Sequence, residues 1–182
     1  MNNDIEMILL DSSELEKITD TLAERINSDY KDKNLLLLCI LKGSIVFTAD
    51  LMRKLHIPCR LDFMQVSSYG GSTVSSNQLK ILKDVSCPID NFDVLIVEDI
   101  IDSGFTLGCL VKYLEDKGVK SVDICTLLSK PSRREYEVDV KYIGEEIPDY
   151  FVVGYGLDFA EKYRALPYIG VLKPQVYENK EV

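Results

Sequence analysis

The sequence predicts an α/β domain with a mainly parallel central sheet flanked by helices, and three observations carry that expectation. Leu35–Ile40, Asp93–Glu98 and Ser121–Leu128 are short, nearly uninterrupted apolar runs, as strands covered on both faces require. Between them lie stretches whose apolar residues recur at helical spacing. Strands alternating with helices bring successive strands into one parallel layer. No internal repeat, low-complexity tract or linker breaks the 182 residues, so residues 1–182 are expected to form one domain.

The elements follow in order. Ser13-Glu14-Leu15-Glu16 has the pattern of a capping box, so the first helix is expected to begin near Ser13, with Leu15, Ile18, Leu22 and Ile26 on one face. Leu35–Ile40 is the first buried strand, Ser44–Leu55 suits a helix, and Leu61–Val66 alternates imperfectly as another strand. Ser67–Asn77 is polar and glycine-bearing, too poor in apolar residues to pack, and is expected as a mobile surface loop. Leu79–Leu82 resumes a strand ahead of the second buried one, Asp93–Glu98. Leu107, Leu110, Val111 and Leu114 give the next helix, stopped by Gly118 in a left-handed conformation. After Ser121–Leu128, the segments through Tyr150, Phe151–Val153 and Tyr168–Leu172 read as short strands and loops.

Composition narrows the function. The 46% hydrophobic and 28% charged residues are ordinary for a globular protein. The longest apolar run, Leu35–Leu41, is too short to cross a bilayer, which takes about 20 residues. Asp4 and Glu6 stand where a secretory signal carries lysines, so a cytoplasmic location is expected. Cys39, Cys59, Cys87, Cys109 and Cys125 are odd in number and lack CxxC spacing, which argues against a disulfide framework or a zinc site. The net charge of −9 repels nucleic acid. It also repels a polyanionic substrate, so any such ligand needs a cation and a few well-placed lysines or arginines to reverse the local field.

The chemistry is expected at Val94-Leu95-Ile96-Val97-Glu98-Asp99-Ile100-Ile101-Asp102-Ser103-Gly104-Phe105-Thr106. A buried strand ends in two adjacent carboxylates, a third follows three residues later, and Ser-Gly-x-Thr opens a helix. Ligands of open α/β sheets bind beyond the carboxyl ends of strands. A helix N-terminus made of small residues exposes N–H groups that cradle a phosphate. Ser103 and Thr106 add hydroxyls, and Gly104 allows close backbone approach. The paired acids Glu98 and Asp99 suit ribose hydroxyls or a magnesium ion, which favours oxygen ligands and substrate phosphates. A plainer reading makes Asp102 and Ser103 helix caps and the acid pair a solvated strand end.

The run VEDIIDSGFT resembles the phosphoribosyl-pyrophosphate signature of type I phosphoribosyltransferases, in particular their hypoxanthine-guanine branch. Neither a Walker motif nor a full GxGxxG competes, since Gly154-Tyr155-Gly156 lacks the third glycine. The resemblance extends from about Leu35 to Pro174. It implies a Rossmann-like domain with a flexible lid at about 67–78 and a small hood, mainly about 144–182, that binds the base. Leu41-Lys42-Gly43-Ser44 resembles the family's pyrophosphate loop, with Lys42 and Gly43 as ligands and an unusual non-proline cis peptide. Ser68-Tyr69 matches a Ser-Tyr pair in the lid. Lys130 resembles the lysine that bonds the six-position oxygen of the purine, and Arg134 an arginine that steadies that loop. In Phe151-Val152-Val153-Gly154-Tyr155-Gly156-Leu157-Asp158, Phe151 would stack on the purine and the Val152 backbone would bond its edge. Asp158 would hold magnesium, and Arg164 would grip the pyrophosphate. Phe105 stands where some relatives carry lysine, and Ser103 where threonine is common.

The resemblance implies transfer of a 5-phosphoribosyl group to hypoxanthine or guanine. Magnesium is the implied cofactor, held by Glu98, Asp99 and Asp158, and Asp102 the implied general base. Homodimers or homotetramers are implied, with no nucleic-acid or membrane partner. Three rivals stand beside this: preference for xanthine or adenine, an RNA-binding regulator on the same fold, and a dinucleotide-binding domain.

Overall fold

The computed structural model describes residues 3–68 and 79–178. Strand β1 (Ile5–Leu10) leads into helix α1 (Ser12–Asp29), then β2 (Leu35–Leu41), α2 (Ile45–Lys54), β3 (Cys59–Ser68) and β4 (Leu79–Lys83). Next come β5 (Asp93–Ile101), α3 (Phe105–Asp116), β6 (Ser121–Ser129), a 3-10 turn at Pro131–Arg133, β7 (Tyr142–Glu146), β8 (Val152–Val153), β9 (Ile169–Leu172) and α4 (Pro174–Tyr177).

Six strands form one sheet in the order β4-β3-β2-β5-β6-β7. All neighbours run parallel except β3 and β4. The apolar runs behave as expected of central strands. Leu35 and Leu37 of β2 and Leu95 and Val97 of β5 face α1 and α2, while Leu36, Leu38 and Ile40, with Val94 and Ile96, face α3. Period-two alternation thus feeds two cores, one on each side of the sheet. Leu35–Leu38 are each at most 1% exposed, and burying a side chain of that size stabilises the fold by roughly 1.5–3 kcal/mol.

The strand order places the ligand crevice. After β2 the chain moves one way in the sheet, to β3; after β5 it moves the other way, to β6. The carboxyl ends of β2 and β5 are therefore the topological switch point, where open α/β sheets take their ligands. These strands also part there: their pairing ends at Cys39 and Val97, while β5 stays paired with β6 as far as Ile101. Glu98 and Asp99 consequently lie within β5, on a stretch that β2 does not cover, rather than just past a strand that stops at Glu98.

Three local expectations change. The first helix is capped by Asp11, not by Ser13. The Asp11 carboxylate accepts the N–H groups of Ser13 and Glu14, both at 2.9 Å, and Glu14 accepts the Asp11 N–H at 2.8 Å. Aspartate fills the capping-box role as well as serine does, which moves the box two residues upstream. Strand β1 has no counterpart in the sequence expectations; it pairs antiparallel with β9, which pairs with β8, in a separate three-stranded sheet. Gly104, at φ +87°, is the N-cap of α3, while Ser103 Oγ accepts the Phe105 N–H at 3.3 Å, so Ser103 does meet the helix start from one residue upstream and Asp102 is not its N-cap. Gly118, at φ +77°, follows α3 as expected. All five cysteines are free, and no helix among the described residues is long and apolar enough to cross a membrane.

Candidate active site

The crevice is built from backbone first. Gly104 brings the chain so close to the following loop that a Cβ there would meet the Tyr136 carbonyl at 2.8 Å. The Ser103 carbonyl accepts the N–H groups of Glu135 and Tyr136 at 3.0 and 2.9 Å. Arg134 Nε donates to the Asp102 carbonyl at 3.1 Å, and its Nη2 donates to Ser129 Oγ at 3.2 Å. The turn 102–104 is thus braced from behind by Arg134 and the backbone of residues 135–136. In front of it a cavity of about 110 Å³ is lined by Glu98, Asp102, Ser103, Gly104 and Thr106, among others. Phe105 turns aside to pack on Tyr136, with ring centroids 5.3 Å apart. Ser103 Oγ accepts the Phe105 N–H at 3.3 Å, and a helix start whose N-cap is a glycine presents the further N–H groups of its first turn to an anion.

Across the switch point stands the loop after β2, whose Leu41–Lys42 peptide is cis. A Cβ on Gly43 would lie 1.6 Å from Asp99 Oδ2, and one on Gly156 would lie 2.0 Å from the Gly43 carbonyl. The Gly43 backbone therefore lies between the Asp99 carboxylate on one side and the Gly156 backbone on the other, with no room for a methyl group. Ser44, expected to open the helix, is fully buried and donates to the Ile40 carbonyl at 2.6 Å.

The charged groups divide into two clusters. Glu98 is half-buried, and its Oε2 has no hydrogen-bond partner. Burial, then the adjacent Asp99, raise its carboxyl well above the usual range. Burial likewise pushes Asp99 up to about 6, against the bond it accepts from the Ile100 N–H at 2.7 Å. On the far side, Lys42 Nζ pairs with Glu161 at 3.1 Å. Arg164 pairs with Asp158 at 2.8 Å and Glu161 at 3.4 Å and donates to the Gly156 carbonyl at 2.8 Å. Asp158 also accepts the Glu161 N–H at 2.9 Å. Among the described residues no three His, Cys, Asp or Glu side chains converge as a metal cluster. Asp158 is held by Arg164, and both are felt at Asp99, where Arg164 draws the carboxyl down and Asp158 pushes it up.

The third region lies beside the hood. Lys130 follows β6 directly, with its N–H donating to the Ile101 carbonyl at 3.0 Å. Its side chain is 9% exposed, with Nζ 3.7 Å from Asp102 and 3.6 Å from Asp149. Asp102 itself is about half exposed. Phe151, 38% exposed, stacks on Tyr177 at 4.7 Å and meets Phe159 edge-on at 5.5 Å. Val152 is buried in β8, opposite Val171. Ser68 ends β3, while Tyr69 and the rest of the expected lid lie outside the described residues.

The sequence expectations missed Asp149, Glu161 and Tyr177. Each makes at least one contact with a segment distant in the chain, Glu161 with Lys42, Asp149 with Lys130 and Tyr177 with Phe151, and no local pattern marks such a contact. Arg164 carries the best hint for Glu161, which precedes it by three residues.

Fold and crevice suit a protein that holds a phosphorylated sugar at the switch point and a flat oxygen-bearing ring beside the hood. The chain belongs to the phosphoribosyltransferase family: the model of the phosphoribosyl transferase domain matches residues 7–160. Hypoxanthine-guanine phosphoribosyltransferases are among its relatives within that family. It is 49% identical over 179 residues to the hypoxanthine-guanine phosphoribosyltransferase of Bacillus subtilis, covering 98% of this chain and 99% of that one. It is 46% identical to the enzyme of the same name from Staphylococcus aureus, covering 98% and 100%. A crystal structure of a hypoxanthine phosphoribosyltransferase from S. aureus superposes with a TM-score of 0.94 at 46% identity, covering 98% and 97%.

Proposed function

We propose that this protein transfers the 5-phosphoribosyl group of phosphoribosyl pyrophosphate to hypoxanthine or guanine, yielding the nucleoside monophosphate and pyrophosphate. The observation that carries the reading is the buried Lys130 ammonium, 3.7 Å from the exposed Asp102 carboxylate, on the turn that also opens α3. One corner of the crevice thereby offers a donor for a six-position oxygen and an acceptor for a ring proton. A six-amino group would set donor against donor at Lys130, which disfavours adenine.

In this mechanism Ser103, Gly104, Phe105 and Thr106 hold the 5-phosphate by backbone N–H and hydroxyl groups. Glu98 and Asp99 hold the ribose hydroxyls. Phe151 stacks on the purine, whose edge the Val152 backbone meets. The bond from the anomeric carbon to pyrophosphate oxygen breaks, a carbon–nitrogen bond to the purine forms, and Asp102 takes the displaced ring proton. Lys42, Gly43 and Arg164 receive the departing pyrophosphate and stabilise its charge. Glu161 must first release Lys42 and Arg164, and exposed ion pairs of that kind are weak. Magnesium fits this set: the buried, unpartnered Glu98 Oε2, next to the Asp99 carboxylate, offers the oxygen donors such a cation favours. Glu98, Asp99 and, once freed from Arg164, Asp158 would hold it, and it would supply neutralisation of phosphate charge.

Names of the relatives do not favour a xanthine-preferring enzyme or an RNA-binding regulator. Ser68 and Tyr69 carry the proposed lid. Cytoplasmic residence and assembly of two or four copies belong to the same proposal; light scattering reads the second. The deciding experiment incubates the protein with magnesium, phosphoribosyl pyrophosphate and hypoxanthine, guanine, xanthine or adenine in turn. IMP and GMP are the expected products. AMP or XMP formed faster than either would overturn the reading.

A further inference from the structure

We propose that Asp149 is a positioning residue for purine selection, holding the Lys130 ammonium and the Phe151 ring in one fixed relation. The proposal rests on the assignment of Lys130 and Phe151 to the base site. These two side chains come from different sheets. Lys130 follows β6 of the six-stranded sheet, and Phe151 precedes β8 of the three-stranded one. Among the described residues no strand pairing joins the sheets. A shared core, with Val152 and Val171 packed among Leu35, Leu37 and Leu95, holds them together, and the segment 147–151 links the two base-site residues directly along the chain.

Asp149 lies in that segment, two residues before Phe151. Its Oδ1 stands 3.6 Å from Lys130 Nζ. Arg133 Nη1, from the turn after β6, donates to both Asp149 oxygens at 3.1 and 3.2 Å and orients the carboxylate. The backbone nearby is tied too: the Ile147 N–H donates to the Ser129 carbonyl at 2.9 Å and the Tyr150 N–H to the Pro148 carbonyl at 2.7 Å. Asp149 is thus the side chain through which the Phe151 turn grips the end of β6.

The chemistry of Lys130 gives that grip a use. An ammonium on a four-carbon stem facing one carboxylate would lean toward it. With Asp102 at 3.7 Å and Asp149 at 3.6 Å, Lys130 has two attractions at nearly equal distance. Both distances are longer than a well-formed hydrogen bond, so a ligand oxygen can compete for the Lys130 N–H donors while the two carboxylates hold the ammonium near the base site. Asp149 also keeps Lys130 from being drawn wholly onto Asp102, the group needed to accept the ring proton.

Steady-state kinetics of Asp149→Asn, Asp149→Glu, Lys130→Met and the double variant Lys130→Met/Asp149→Asn test this. Asp149→Asn is expected to raise KM for hypoxanthine and guanine roughly three- to tenfold, the range of a half-exposed charge contact. Preference for hypoxanthine over adenine falls by a similar factor, and KM for phosphoribosyl pyrophosphate stays within about twofold, because no pyrophosphate ligand is touched. Asp149→Glu restores part of the purine affinity. The double variant is no worse than Lys130→Met alone, since the two residues act as one unit. Unchanged purine KM in Asp149→Asn, equal rises for both substrates, or additive losses in the double variant would each overturn the proposal. If Lys130→Met keeps a full preference for hypoxanthine over adenine, the base-site assignment itself falls. If only Asp149→Asn behaves as wild type, the assignment stands and the role of Asp149 alone is lost.

Discussion

Asp102 stands half exposed at the mouth of the crevice, 3.7 Å from a buried ammonium, and replacing it by asparagine isolates its charge from its shape. A positioned acid or base contributes about 10²–10⁴ in rate. Asp102→Asn should therefore lower kcat at saturating substrates by about a hundredfold or more while the melting temperature hardly moves. Near-normal turnover would remove its role as proton acceptor. Gly43 makes a different demand. Its Cβ would sit 1.6 Å from Asp99 Oδ2, a collision that only a shift of the loop or of the acid relieves. Misplacing a ligand-holding group by about 1 Å costs up to about a hundredfold, so Gly43→Ala should cut kcat/KM for phosphoribosyl pyrophosphate by about ten- to a hundredfold. KM for the purine, whose proposed contacts lie on other loops, should change far less. Equal changes for the two substrates would show that the glycine matters only to folding.

Between β8 and β9 the chain makes a tight loop. Ala160, Glu161 and Tyr163 adopt positive φ values of 50°, 61° and 74° there, a region non-glycine residues visit sparingly and often at ligand clamps. This loop carries Asp158 and Arg164 and lays Glu161 across Lys42 and Arg164. An acid placed there occupies cations that the proposed mechanism reserves for pyrophosphate. Glu161→Gln should strengthen competitive inhibition by pyrophosphate about two- to fivefold, the scale of exposed ion pairs, and weaker inhibition would mean that Glu161 preorganises the cations instead. Elements like this loop also mark where legibility ended. The central strands were readable because apolar runs declare burial on both faces, and the 98–106 turn because acid pair, glycine and hydroxyls share one local stretch. Strand β1 was not: Glu6, Met7 and Ile8 of this short segment are exposed or half-exposed, so no alternation separates it from a frayed terminus. The Asp11 cap was missed because serine two residues later offered the same pattern. Lys42, Lys130, Phe151 and Arg164 were reached only through resemblance, since a lysine before a helix or a phenylalanine on an apolar run says nothing local about a ligand.

Across the domain, acids fall into two groups with opposite responses to pH. Asp62, Asp84 and Asp123 are partly buried, which pushes their carboxyls up, yet their partners more than offset it and hold all three below the usual range. Asp62 accepts from the N–H and hydroxyl of Ser86 at 2.7 and 3.0 Å. Asp84 accepts from the Tyr113 hydroxyl at 2.6 Å, and Asp123 from Tyr30 and Lys141 at 2.7 and 2.9 Å. These acids tie turns, helices and strands together. Because their folded values lie below the unfolded ones, the stability they give is present above the ordinary carboxylate range and lost as pH falls below it. Glu98 and Asp99 run the other way. A folded value raised from 3.8 to about 6 at Asp99 means that ionisation is harder in the fold, so the ligand-free protein loses stability as pH climbs from about 4 through 6. A shift of that size is worth on the order of 1–3 kcal/mol. The net charge of −9 at pH 7 and pI near 4.7 add a similar trend through self-repulsion, so the wild-type curve alone does not isolate the site. Comparison with Asp99→Asn does. Without ligand, the variant should melt several degrees above wild type at pH 7.5 and lose most of that advantage by pH 4.5, while both collapse together at more acid pH. An advantage that persists unchanged at pH 4.5 would mean that Asp99 ionises normally in the fold, and that the strand-end acids carry no stored cost for a bound cation or sugar to relieve.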